Sequence, residues 1–207
     1  MNIFINHLFR DPGYFFIVVF SVMFSVCVHE FCHAFTALKC GDSTAADSGH
    51  LTLNPLKQMG VFSLVMLLLL GFCWGAVPVN RANLTRGKSI IISLAGPLAN
   101  LGLFVIGVVL AVLTAIPGCE DIFKLMLIFA QINMLLFCIN LLPVNGFDGG
   151  NIVAELLPMH KLYRNELGKG VVIGMMLLFF CSLDYIFSFT QFCTVEAISR
   201  LWSVFHG

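Results

Sequence analysis

The chain reads as an all-α polytopic membrane protein: about four transmembrane helices, a further hydrophobic segment that is re-entrant or does not cross, and a short β-strand element. Three observations lead there. Of its 207 residues, 59% are hydrophobic and only 11% are charged, whereas a soluble domain of this size carries about 25% charge. The mean hydropathy is +0.96. Four apolar runs reach the ~20 residues a helix needs to cross a bilayer. This composition excludes an ordinary soluble enzyme and a disordered segment, and the balance of 11 basic against 11 acidic residues excludes a nucleic-acid binder.

In chain order, the first run is Tyr14 to Leu38. It is no cleaved signal peptide, because no basic leader or small-residue cleavage site accompanies it and its second half carries ionisable residues. A polar, turn-rich stretch from Cys40 to Gln58 follows, in which His50-Leu-Thr-Leu-Asn-Pro55 alternates as a short strand ended by Asn-Pro would. Met59 to Val77 is long enough to span but interrupted by Gly60, Gly71 and Gly75. The remaining runs are Ser89 to Ile116, Leu125 to Leu142 and Val171 to about Thr190. In the tail, Gln191 to Gly207, Val195, Ile198, Leu201, Trp202 and Phe205 suit a helix lying in the interface. The whole, residues 1–207, is expected to be one domain with its core at 14–150 and a C-terminal helix and tail at 171–207. The eight cysteines sit mostly as lone thiols inside apolar runs, the placement of packing residues rather than of a disulfide framework.

The chemistry begins in the first run, at His29-Glu30-Phe31-Cys32-His33. A spacing of four puts both imidazoles on one helical face, where their nitrogens can converge on one zinc ion, with Glu30 beside them as a base. HExxH fixes only three positions and arises by chance on soluble helices. Inside an apolar span, however, uncompensated polar groups cost several kcal/mol and tend to be functional. Catalytic zinc usually takes three protein ligands and a water, and the best third ligand is Asp148, in Asn140-Leu-Leu-Pro-Val-Asn-Gly-Phe-Asp148-Gly-Gly at the end of a span. Glu155, Asp184, His7, His160 and His206 are poorer candidates. Cys32 reads as a packing thiol. Ala95-Gly-Pro-Leu-Ala-Asn100 reads as small-residue packing against the HExxH helix, with no direct catalytic role for Asn100.

Five motifs in order resemble the site-2 protease family of intramembrane zinc metalloproteases, in its compact form without a PDZ domain: HEFCH, GHLTLNP (Gly49 to Pro55), WGAVPVN (Trp74 to Asn80), AGPLAN and NLLPVNGFDGG (Asn140 to Gly150). The resemblance implies zinc held by His29, His33 and Asp148, Glu30 as general base and Asn140 positioning substrate or the attacking water. It departs from the family pattern at Cys32, His50, Asn145 and a missing Lys in the tryptophan motif, while the implied ligands and base are intact. The implied activity is hydrolysis of peptide bonds within or near transmembrane segments of membrane proteins, in the bilayer of a bacterial cell. An inactive relative that binds membrane proteins and a metal transporter are the alternatives.

Topology follows from parity. His29, His33 and Asp148 must meet at one depth, so a full crossing by Met59 to Val77 would leave Asp148 on the wrong side; that run is expected to return to the side it left, which is tolerated where protein covers it. Lys39, Lys57, Arg81, Arg86, Lys88, Lys161, Arg164 and Lys169 then fall on the active-site side, against Arg10, Lys124 and Arg200 opposite. This bias places the site toward the cytoplasm and both termini outside.

Overall fold

The computed structural model describes residues 3–157 and 166–206; His160, Lys161 and Arg164 lie outside the described residues. The longer helices are α1 (Pro12–Cys40), α2 (Gly60–Leu70), α3 (Arg86–Thr114), α4 (Glu120–Asn140), α5 (Asp148–Leu156) and α6 (Glu166–His206). Among the described residues four are long and apolar enough to cross a membrane: α1, α3, α4 and the Ile173–Phe205 stretch of α6. Local chemistry sets their ends. Asp11 accepts the Tyr14 N–H at 3.0 Å, and Pro12 occupies the first turn of α1, where its missing N–H costs nothing. Gly41 closes α1 with φ 98°, a left-handed conformation that suits glycine. No glycine or proline interrupts the chain between Gly174 and Gly207, so α6 runs on to His206 and the tail is not a separate element.

α3 is the central helix, packed against α1, α4, α5 and α6. Gly107 lets α4 come close, since a Cβ there would lie 3.0 Å from the Ala130 Cβ. Lys124 at the start of α4 pairs with Asp11 at the start of α1 at 3.5 Å. The two helices therefore begin at the same end of the bundle and finish at the other, where the second half of α1 and the turn after α4 can meet. Phe16, Phe20, Ile106, Leu113 and Phe180 are each more than half exposed, as suits helices that face lipid.

The Met59 to Val77 run is not a single helix. α2 has 11 residues and, at 1.5 Å each, rises only about half of the ~30 Å hydrocarbon thickness. Gly71, at φ 75°, ends it, and residues 72–80 return without helical structure. The Ser63 hydroxyl donates to the Trp74 carbonyl at 2.6 Å and accepts the Trp74 N–H at 2.9 Å. Ala76 N–H donates to the Gln58 carbonyl at 3.1 Å, so the returning segment meets the chain where the excursion began.

The β-strand expected at His50 to Pro55 is absent, as is any strand among the described residues. The carbonyls of His50 and Thr52 accept from the buried Gln58 side chain, at 2.8 and 2.6 Å, instead of from a neighbouring strand. Asn54 caps a helical turn, Pro55–Gln58, by accepting the Leu56 N–H. The alternation of leucines therefore has no sheet to pair with, and Leu53 is half exposed.

Asp42 ties this region together just beyond the end of α1. It accepts from the Thr44 hydroxyl, the Thr44 N–H at 3.1 Å and the Asn80 N–H at 2.8 Å. Burial alone would raise its pKa, but these hydrogen bonds outweigh burial and hold the carboxyl below its ordinary value of 3.8. Because the folded pKa is the lower one, the resulting stability is complete above the unfolded value and is lost as pH falls below it. Asp42→Ala is expected to lower the melting midpoint at pH 7 by about 4–10 °C. The gap to the wild type should narrow as the pH is taken below 3.8, which thermal melts in detergent across that range would measure.

Candidate metal centre

The apolar second half of α1 carries His29, Glu30 and His33, all buried. One helical turn separates the two histidines, and tertiary packing turns their Nε2 atoms toward each other, 3.0 Å apart. Asp148, the first residue of α5, brings its Oδ2 to 3.1 Å from each of them. Among the described residues this is the one group of three His, Cys, Asp or Glu side chains placed to hold a metal ion.

The donor chemistry argues for a cation at that point. His33 Nδ1 lies 2.7 Å from the Ile92 carbonyl. A carbonyl only accepts, so Nδ1 is the protonated nitrogen and a neutral ring presents the Nε2 lone pair to the cluster. His29 Nδ1 is likewise engaged, 2.6 Å from Asn100 Oδ1. Electron pairs of two imidazoles and a carboxylate thus converge, and a metal ion satisfies all three. In tetrahedral zinc sites, ligand atoms 2.0–2.1 Å from the metal are about 3.3 Å apart, close to the separations of 3.0–3.1 Å here. Room is also provided: α3 passes the cluster at Gly96, where a Cβ would come to 2.5 Å from His29 Nε2 and nearer still to His33 Nε2.

Asp148 is held from both ends of α5. At its start, Gly149 and Gly150 press against the carbonyls of Leu141 and Val144, and a side chain at either would overlap those oxygens. Toward its end, Glu155 accepts the Ser89 hydroxyl at 2.6 Å. Arg81 lies 4.0 Å from Glu155 and donates to Ser93 at 3.0 Å. Glu155, a poor ligand candidate in the sequence, is thus a tether to α3. Glu30 faces the returning segment: Gly75 lies directly against its carboxylate, and a Cβ there would sit 2.5 Å from Glu30 Cδ. Asn140 is the last residue of α4, where its Nδ2 donates to the Leu136 carbonyl of its own helix at 3.0 Å.

The structure therefore brings together His29, His33 and Asp148, with Glu30 alongside. Cys32 is half-buried and belongs to no metal-binding group among the described residues. Sequence reasoning missed the contact of Asn100 with His29 by treating the AGPLAN segment as packing alone. An amide in an apolar span needs a polar partner, as the histidines do, and that was the available signal.

Peptidase family M50 matches residues 15–119 of the chain. The candidate zinc metalloprotease YwhC of Bacillus subtilis is 37% identical over 151 residues, covering 68% of this chain and 69% of that protein. The candidate zinc metalloprotease Rip2 of Mycolicibacterium smegmatis is 37% identical over 147 residues, covering 66% of this chain and 56% of that protein. Rip2 of Mycobacterium tuberculosis is 33% identical over 144 residues, with the same coverage of 66% and 56%. The chain thus spans just over half the length of the mycobacterial relatives. No solved structure matches it. With its HExxH helix inside the matched region and relatives alike over some two thirds of its length, the chain belongs to peptidase family M50, the site-2 protease family of membrane-embedded zinc metalloproteases.

Proposed function

We propose that this integral membrane protein hydrolyses peptide bonds within or near transmembrane segments of other membrane proteins, at a zinc ion held by His29, His33 and Asp148. The observation that carries the reading is the convergence of the two Nε2 atoms and the Asp148 oxygen within 3.0–3.1 Å of one another, beside a buried glutamate. Zinc bound there would polarise a scissile carbonyl and lower the pKa of a bound water toward about 7. Glu30 is the general base: its carboxylate takes the proton of the attacking water and passes it to the departing amine. Gly75, having no side chain, leaves that carboxylate its place. Asn140, at the mouth of the turn that carries Asp148, is assigned to positioning substrate backbone. A substrate helix must unwind before its peptide bond can enter, because in lipid its backbone groups are paired internally.

The bilayer is assigned as a bacterial cell membrane by analogy with the bacterial relatives, and the eight basic residues sorted to the active-site side against three opposite support a site toward the cytoplasm with both termini outside. The ligands converge on one point rather than stringing along a pathway, which supports a catalytic centre over a transporter. The purified full chain is expected to hold one zinc per molecule and to cleave a model transmembrane substrate. Chelation should abolish cleavage and added zinc restore it. Cleavage that survives complete zinc removal, or its absence from the zinc-loaded chain across several substrates, would overturn the assignment.

A further inference from the structure

We propose that Asn100 and Asn133 form a relay of positioning residues that holds His29 in the tautomer with its Nε2 lone pair directed at the metal; this rests on the zinc-site reading above. Both amides are fully buried in the apolar bundle, at 0% exposure, so each must find its partners within the protein. Asn133 lies on α4, and its Nδ2 donates to the Phe129 carbonyl at 2.9 Å. That carbonyl can only accept, which orients the Asn133 amide and leaves Oδ1 pointing the other way. Asn133 Oδ1 in turn accepts from Asn100 Nδ2, on α3, at 3.0 Å. Asn100 then has only its Oδ1 to offer His29, and it meets His29 Nδ1 at 2.6 Å.

Each step allows one polarity. Starting from a main-chain carbonyl of α4, the chain of donors and acceptors fixes the proton on His29 Nδ1 and so places the lone pair on Nε2. His33 reaches the same state in one step, through the Ile92 carbonyl. The asymmetry has a structural origin: His29 sits a turn deeper in the span, where the relay reaches across α3 to α4 to find its anchoring carbonyl. Partners of this kind orient a ligating imidazole and raise its basicity, and their loss typically costs 10–100-fold in metal affinity or activity.

The test uses the full chain in detergent, loaded with zinc and, in parallel, with Co(II). Asn100→Leu keeps the volume but removes the acceptor; Asn100→Asp keeps an acceptor for His29 Nδ1–H. Asn100→Leu is expected to lose zinc to a chelator about 10–100-fold faster than wild type and to shift the Co(II) absorption bands, while Asn100→Asp stays within about threefold of wild type. Asn133→Leu, which frees the Asn100 amide to turn its donor toward His29, is expected to fall between them, and it replaces Asn100→Leu if that variant does not fold. Wild-type zinc loss and Co(II) bands in the folded leucine variant would overturn the relay. So would an Asn100→Asp that behaves like the leucine variant, since that result would show that an acceptor for His29 Nδ1–H is not what Asn100 supplies. A wild-type chain that binds no zinc overturns the underlying site and the relay together, and is told apart because the relay's own failure leaves wild-type zinc intact.

Discussion

Gly96→Ala is expected to yield a folded membrane protein that holds almost no zinc and whose cleavage activity falls by about a thousandfold or more. In a helix the substitution is otherwise favourable, by roughly 0.5–1 kcal/mol. At this position, however, the new Cβ would lie 2.5 Å from His29 Nε2 and closer still to His33 Nε2, in the space a metal ion 2.0–2.1 Å from both nitrogens must use. The bound metal supplies several kcal/mol of transition-state stabilisation, and each 1.36 kcal/mol is about tenfold in rate. Gly102→Ala is the control: it lies on the same helix with nothing within 4 Å of its Cβ position, and wild-type zinc content and activity are expected. Metal analysis with a cleavage assay on both variants decides the matter; a zinc-replete, active Gly96→Ala would show that α3 does not shape the cradle.

Glu30→Gln is expected to separate the metal from the chemistry. Glutamine has the same shape and no charge, and Glu30 belongs to no group of ligand atoms among the described residues, so zinc content should be unchanged. The amide cannot take a proton from water, and cleavage should fall by about 10²–10⁴-fold, the usual contribution of a general base. Gly75→Ala should reproduce much of this loss with Glu30 still present, because its Cβ would come to 2.5 Å from Glu30 Cδ and displace the carboxylate. Cleavage by Glu30→Gln at the wild-type rate, with zinc bound, would remove Glu30 from the mechanism.

What could be read from the sequence, and what could not, divides along the range of the interactions involved. The spans were legible because lipid offers no hydrogen bonds, so an apolar run of sufficient length has to satisfy its backbone within its own helix. The ends of α1 were drawn short, at Tyr14 and Leu38, because the Asp11 and Pro12 start signal and the Gly41 stop signal were not read from the sequence. The strand at His50 to Pro55 was misread because strand pairing depends on a distant partner, and here a single side chain, Gln58, takes the carbonyls that a partner strand would have used. The boundary drawn at Gln191 rested on a change of amphipathic pattern, while the backbone, lacking a breaker, continued the helix.

For the candidate site, the sequence by itself determined the pair His29 and His33 on one face of one helix, with Glu30 adjoining, because a spacing of four is a property of the helix alone. The sequence offered Asp148 as the third ligand, but only the tertiary structure decided that this residue, 115 positions beyond His33, meets them. It likewise decided that Gly96 leaves space for an ion, that Gly75 rests on Glu30, and that Asn100 engages His29 from 71 residues away. Those relations depend on how α3, α5 and the returning segment pack against α1, and contacts between helices are set by the fit of whole surfaces rather than by the spacing within any one of them.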